Sequence, residues 1–339
     1  MSAPMMRAFV AERYQRGAPL RPVELPLPEV GEKEVLVRVQ AAGVNVLDAK
    51  LRNGEFKLIL PYPLPLVLGH DLAGVVVRVG AQVRDFKVGD AVYGRVADGR
   101  IGTFAEYIAV HDSDLAPMPA TLEMTQAAAL PLVALTAWQA LVERGDVQRG
   151  QKVFIQAGSG GVGTIAIQLA RHLGATVATT ASAANSEWLK SLGADVVIDY
   201  RKDDFAAVLR DYDLVLHSQD TATLHKSLGI LKPGGKLISI SGPPDPAFAR
   251  AIGAPWYMRL VVRLLSAGVR RKAEKLGVDF SFLFMRASGQ HLRRITSLVD
   301  AGIVRPVIDR VMPFDATNEA LAYVAAGHAK GKVVVRMGE

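Results

Sequence analysis

The 339-residue sequence contains no cysteine. That absence excludes a disulfide framework, a four-cysteine structural zinc, an iron–sulfur cluster and a cysteine nucleophile, and it fits a reducing compartment. Long apolar runs are missing too. Residues 1–10 lack the apolar stretch of a signal peptide, and nothing downstream reaches the roughly 18 uninterrupted apolar residues that a membrane span needs. The longest candidate, residues 127–142, is interrupted by Pro131 and Gln139 and reads as the entrance to a buried helix. A soluble, cytoplasmic protein is the expectation. Half of the residues are hydrophobic and 22% are charged, which rules out disorder and collagen-like repetition. The length favours two domains, or one domain interrupting another.

A formal charge of +7 could signal a nucleic-acid or anionic-surface partner. Its distribution decides against nucleic acid. Residues 250–275 hold Arg250, Arg259, Arg263, Arg270, Arg271, Lys272 and Lys275 against Glu274 alone, a local balance of +6. A protein that wraps a duplex spreads its cations over a broad face, whereas this concentration marks one local element.

Up to about Met118 the chain shows short β-rich runs, including residues 35–39, 74–79, 91–93 and 106–110, punctuated by prolines at 19, 22, 26, 28, 61, 63 and 65. This pattern predicts an irregular β domain. After Thr125 strands and helices alternate. Strands are expected at 152–156, 176–180, 196–199, 214–216, 236–240 and 279–284, with helices at 164–173, 186–192 and 223–231. Nearly all-apolar strands in that rhythm predict a parallel sheet covered on both faces. The tail returns to β character at 304–309 and 332–337 around a helix at 317–326, and should pack back on the first domain.

The strand at 152–156 runs into Ala157-Gly158-Ser159-Gly160-Gly161-Val162-Gly163 and then into a helix. In this position a G-x-G-x-x-G turn reads as a dinucleotide site. Glycines allow the tight turn and close approach of backbone to a pyrophosphate, Gly163 lets the helix press on the sheet, and the helix N-terminus offers N–H groups to the anion. An NAD-preferring site carries an acid about 20 residues further on. Here the second strand leads into Ser182, Ala183, Ala184 and Asn185, with no carboxylate before Glu187. Small polar groups leave room for a 2′-phosphate, which favours NADPH; Ser182 and Asn185 are also good helix caps.

These features, with Ala41-Ala42-Gly43-Val44-Asn45-Val46-Leu47-Asp48-Ala49-Lys50, Leu68-Gly69-His70-Asp71-Leu72-Ala73-Gly74, Lys87-Val88-Gly89-Asp90, Leu130-Pro131-Leu132 and Gly331-Lys332-Val333-Val334-Val335, resemble the medium-chain dehydrogenase/reductase superfamily, in its zinc-independent quinone oxidoreductase and enone (alkenal) reductase branch. The resemblance implies an α/β fold: a GroES-like irregular β domain, 1–126 plus 287–339, interrupted by a Rossmann domain, 127–286, with a basic helical insertion at about 245–278. The active site would lie between them, and a homodimer through an edge of the Rossmann sheet is expected.

Zinc-dependent relatives carry cysteines where this chain has Asn45 and, nearby, Leu132, so a catalytic zinc is not expected and His70 reads as a hydrogen-bonded core histidine. What remains suits hydride addition to an electron-poor acceptor, a quinone or the C=C of an enone or alkenal, whose carbonyl oxygen needs only hydrogen-bond donors. The resemblance implies Lys50 as the principal catalytic donor, near the nicotinamide ribose, with Asn45 and Tyr62 as further candidates. For the cofactor it implies Lys50, Thr136, Gly160, Gly161, Val162, Gly163, Ser182, Asn185, Tyr200 and Lys332. The stretch His217-Ser218-Gln219-Asp220 departs from the Asp-x-x-Gly of many relatives. That departure, with the basic segment, leaves a second possibility: a membrane- or partner-associated NADPH-binding protein with little turnover. For residues 250–275 three roles stay open, a wall of the substrate site, a surface or dimer-contact helix, and peripheral contact with an anionic membrane.

Overall fold

The computed structural model describes residues 4–338; residues 1–3 and 339, extremities of the expected outer domain, lie outside the described residues. The chain forms two compact units, one running to Leu135 and resuming at Arg286, the other spanning Thr136–Met285. The inner unit therefore begins later than residue 127. Packing explains the difference. A Cβ on Gly43, in the strand Glu34–Val44, would overlap the Ala128 carbonyl of the helix Met124–Ala128. The Leu132 N–H donates to Asp71 at 2.8 Å, which ties the following turn to the outer unit as well.

In the outer unit, Glu34–Val44 is the central strand of a seven-stranded sheet. It pairs antiparallel with Asp71–Val79, Tyr107–His111 and Lys332–Arg336. All but Arg38 and Gln40 of its residues are buried, as a strand covered on both faces requires. The tail does pack back: Lys332–Arg336 aligns with residues 41–44, and Ile308–Pro313 runs parallel beside it. That last strand starts after the expected residue 304, because Pro306 has no N–H to give to a ladder. Arg21–Pro26, Met5–Ala11 and Leu66–Val67 form a smaller sheet. A short helix, Val46–Arg52, was not anticipated from periodicity; it spans too few residues to show one.

The inner unit is a six-stranded parallel sheet in the order Val196–Asp199, Thr176–Ala181, Lys152–Ile155, Tyr212–His217, Leu231–Ser239, Asp279–Phe282. Counted along the chain this is 3-2-1-4-5-6, the Rossmann order, in which ligands lie outside the carboxyl ends of the strands where the order reverses. Val153, Phe154, Ile155, Val215 and Leu237 are wholly buried. The helix expected at 223–231 is Thr221–Leu228, set by Asp220, whose carboxylate accepts the Thr223 N–H at 2.7 Å. The basic segment resolves into three helices, Pro246–Ala251, Trp256–Leu265 and Ala267–Lys275.

Candidate functional site

The glycine turn has the shape that its sequence demands. Gly160 is the N-cap of the helix Gly161–His172, in extended conformation at φ −79° and ψ 169°. The N–H groups of Gly161, Val162 and Gly163, in the helix's first turn, lack intrahelical acceptors. A Cβ on Gly158 would overlap the Thr179 side chain, and one on Gly163 would come to 2.7 Å from the Gly158 Cα. Those two glycines serve packing. Gly160 differs: the nearest atom to a Cβ there is the Ala157 carbonyl oxygen at 3.4 Å, so its outer face is open. A cradle of unpaired N–H groups under an open glycine fits a dinucleotide pyrophosphate.

At the ends of the neighbouring strands, Ala181 aligns with Asp199, and the Tyr200 N–H donates to the Ala181 carbonyl at 3.3 Å. Ser182 is half-buried and its hydroxyl accepts from Asn185 Nδ2 at 3.3 Å. Tyr200 is 59% exposed, and the Arg201 guanidinium lies 5.7 Å from its ring centroid. Arg201, two residues beyond the third strand, joins Ser182, Asn185 and Tyr200 in this region, and its only signal in the sequence is that basic position. Asn185 is buried with its amide turned to the Ser182 hydroxyl, and neither side chain caps the helix that follows. Thr136 is buried at the first residue of the inner unit.

His217 ends the fourth strand, buried, with Nδ1 2.9 Å from Ser239 Oγ and Nε2 3.1 Å from the Asp220 carbonyl. Burial pushes its pKa down to about 4. A neutral imidazole thus occupies the position of the departed Asp-x-x-Gly acid, and its partners make it a brace between adjoining turns.

In the outer unit, four polar side chains and one ammonium form a buried network. Asp48 accepts from the Asn45 N–H at 2.8 Å, half of a capping box that starts the helix Val46–Arg52, and lies 2.6 Å from His70 Nδ1. Asn45 Nδ2 donates to Asp71 at 3.0 Å. Lys332 Nζ donates to Asp71 at 3.1 Å, to the Val44 carbonyl at 3.1 Å and to Asn45 Oδ1 at 2.5 Å. Two of the expected site residues turn their polar groups into this network. Lys332 is 5% exposed and spends all three donors inside the fold. Asn45 has both ends of its amide engaged, Nδ2 by Asp71 and Oδ1 by Lys332. His70 is the core histidine expected, wholly buried, although its Nε2 has no partner among the described residues.

The donor set does not fit zinc. Thiolates are absent, Leu132 offers only its backbone, and no cluster of three His, Asp or Glu groups suited to a metal occurs among the described residues. The charge of Asp71 is met by Lys332 instead.

Lys50, on the helix Val46–Arg52, is half-buried and its ammonium has no hydrogen-bond or ion-pair partner among the described residues. Tyr62 is 7% exposed; its hydroxyl accepts from the Gly99 N–H at 3.1 Å, and burial raises its pKa. Its O–H remains available as a donor.

Comparison with known proteins agrees with this architecture. A family model described as "Alcohol dehydrogenase GroES-like domain" matches residues 31–120, and one described as "Zinc-binding dehydrogenase" matches residues 192–335. The chain is 35% identical to an NADPH-dependent alkenal/one oxidoreductase of Arabidopsis thaliana, covering 97% of this chain and 79% of that protein. It is 36% identical to a 2-methylene-furan-3-one reductase of Solanum lycopersicum, over 91% of this chain and 73% of that one. The solved quinone oxidoreductase of Coxiella burnetii superposes with a TM-score of 0.86 at 30% identity, covering 98% of this chain and 99% of that one. The protein is an oxidoreductase that uses a nicotinamide dinucleotide, and it belongs to the medium-chain dehydrogenase/reductase superfamily, in the zinc-independent branch of quinone oxidoreductases and enone reductases.

Proposed function

We propose that the protein reduces quinones and the C=C bond of α,β-unsaturated carbonyl compounds, with NADPH as the preferred cofactor. The observation that carries this reading is the buried pair of Lys332 and Asp71, which occupies with an internal cation the neighbourhood where zinc-dependent relatives polarise an alcohol. Without a Lewis acid an alkoxide is poorly stabilised, whereas an enone or quinone is already electron-poor and asks only for hydrogen-bond donors at its oxygen. The bound nicotinamide supplies a hydride. Gly161, Val162 and Gly163 hold the pyrophosphate by backbone N–H groups, and the open face of Gly160 lets it approach. Ser182 and Arg201, with Tyr200 beside them, receive the 2′-phosphate, and no carboxylate at the end of the second strand repels it. Lys50 donates from its unpaired ammonium to the ribose or to the substrate oxygen on which charge develops.

A homodimer through an edge of the parallel sheet, which ends in the strand Asp279–Phe282, and a cytoplasmic location complete the proposal. Anaerobic oxidation of NADPH against an enone, an alkenal and a quinone tests it. Turnover of at least one of the three, with no reduction of NADP by simple alcohols, is the expected result. Failure with all three, while NADPH still binds, would overturn the assignment as a reductase.

A further inference from the structure

The helix Trp256–Leu265 buries none of its residues. Its neighbours are both anchored. Asp245 caps Pro246–Ala251 by accepting the Phe248 N–H at 2.7 Å and reaches the edge strand through the Phe282 N–H at 2.9 Å, while Phe248 packs edge-on against Phe282. Val269 and Ala273 of Ala267–Lys275 join the core of the sheet, and Lys272 donates to the His225 carbonyl at 2.8 Å. Between these anchors only Met258 and Val262 are half-buried and hold the helix to the body.

At about 100° per residue, Trp256, Leu260, Leu264, Tyr257, Val261 and Leu265 fan over roughly half of the helix circumference, from beside Arg263 at one border to beside the half-buried Met258 at the other. All six are exposed, Trp256 at 77%, Leu264 at 67% and Leu265 at 63%. Arg263 and Arg259 border that face, and Arg270, Arg271 and Lys275 follow on the next helix. Arg263 and Arg271 make no ion pair among the described residues. A broad apolar face with an arginine border and aromatic rings of mixed polarity is the chemistry of a helix lying in a membrane interface. No helix among the described residues is long and apolar enough to cross a bilayer.

We propose that Trp256–Leu265 seats this protein peripherally on anionic lipid bilayers, its apolar face in the acyl boundary and the arginines against the headgroups. Charge decides the occupant. A second copy would bring cations against cations, since Glu274 is the sole acid in residues 250–275, whereas an anionic bilayer offers both hydrocarbon and negative charge.

Flotation of the purified protein with vesicles of phosphatidylcholine alone, and of phosphatidylcholine mixed with phosphatidylglycerol, tests this. Binding is expected only to the mixed vesicles, weakening as salt is added, with a blue shift of tryptophan emission that Trp256→Phe removes. Leu260→Glu with Leu264→Glu should abolish flotation. Arg263→Gln with Arg271→Gln should weaken it by about thirtyfold. Circular dichroism and the thermal midpoint serve as folding controls, which the double variants should leave unchanged. Absence of flotation with mixed vesicles at low salt would overturn the proposal. So would a solution oligomer that dissociates in the Leu260→Glu, Leu264→Glu variant while vesicles remain unbound, or an effect of that variant confined to the KM of the reductase substrate.

Discussion

The Lys332 ammonium lies 3.1 Å from the Asp71 carboxylate, with side chains 5% and 0% exposed, although 261 residues separate them in the chain. A buried pair of this kind is costly to break from one side, because the survivor keeps its charge without its partner. Lys332→Met should therefore lower the unfolding free energy by about 3–5 kcal/mol. Adding Asp71→Asn should recover part of that loss, since it removes the stranded charge. Urea unfolding of the two variants against the parent measures both effects. A Lys332→Met protein as stable as the parent would contradict the ion-pair account.

The glycine turn separates packing from binding. Gly163→Ala adds a methyl group 2.7 Å from the Gly158 Cα and should cost about 1–3 kcal/mol of stability, with cofactor affinity falling alongside. Gly160→Ala meets nothing closer than 3.4 Å, at a φ that any residue adopts. It should leave the thermal midpoint unchanged while raising the Kd for NADPH by more than about tenfold, because the methyl group stands where the pyrophosphate approaches. Paired calorimetric titration and thermal melts distinguish the two. Gly160→Ala with unaltered affinity would remove the phosphate cradle from the scheme.

What could be read from the sequence follows the range of the interactions. The glycine turn and the alternating strands are local patterns, and the 3-2-1-4-5-6 sheet carries the turn at its expected first strand. The role of Lys332 was not legible. It follows from the pairing of Val333 with Val44, which carries a tail lysine to the start of the Val46–Arg52 helix. The junction between the units depends on similar long-range contacts: the composition changes near Thr125, yet Gly43 and Asp71 hold the following residues to the outer sheet. The spacing of residues 256–265 announced an amphipathic helix but could not say which way its apolar face would turn. That face turns outward, and only tertiary structure reveals it.

Cofactor choice rests on the ends of two neighbouring strands. Ser182→Asp would restore an acid at the end of the second strand and repel a 2′-phosphate. The KM for NADPH should rise by at least about tenfold, and that for NADH should fall or hold. Arg201→Ala should weaken NADPH alone, by roughly 1–3 kcal/mol for the loss of a charge-assisted contact. Steady-state kinetics with both cofactors reads the ratio. Equal losses for NADPH and NADH in Arg201→Ala would assign that arginine to something other than the 2′-phosphate.

Among the described residues the Lys50 ammonium has no partner to lose. Lys50→Ala should accordingly change stability by no more than about 0.5 kcal/mol. Turnover of an enone should fall by roughly a hundredfold, or the KM for NADPH should climb, depending on whether the ammonium meets substrate or ribose. Lys50→Arg keeps the charge and should retain part of the activity. Unchanged turnover together with an unchanged KM would dismiss Lys50 from the chemistry.

His217 gives the protein a pH dependence of definite sign. Burial is the leading cause of its depressed pKa, about 4 in the folded chain against 6.5 as the ordinary value. Between those values the unfolded chain takes up a proton that the folded chain refuses, so acid favours unfolding. The contribution is complete above about pH 6.5 and is lost as pH falls toward 4; between pH 7 and pH 5 it amounts to about 2 kcal/mol. His217→Gln cannot be protonated in this range. Its stability should thus be flatter over the same interval, even if lower at pH 7 through imperfect bonds to Ser239 Oγ and the Asp220 carbonyl. Urea midpoints at pH 7 and pH 5 for both proteins decide it. Parallel declines in parent and variant would show that the acid sensitivity resides in other groups, since a neutral buried imidazole is the one feature the substitution removes.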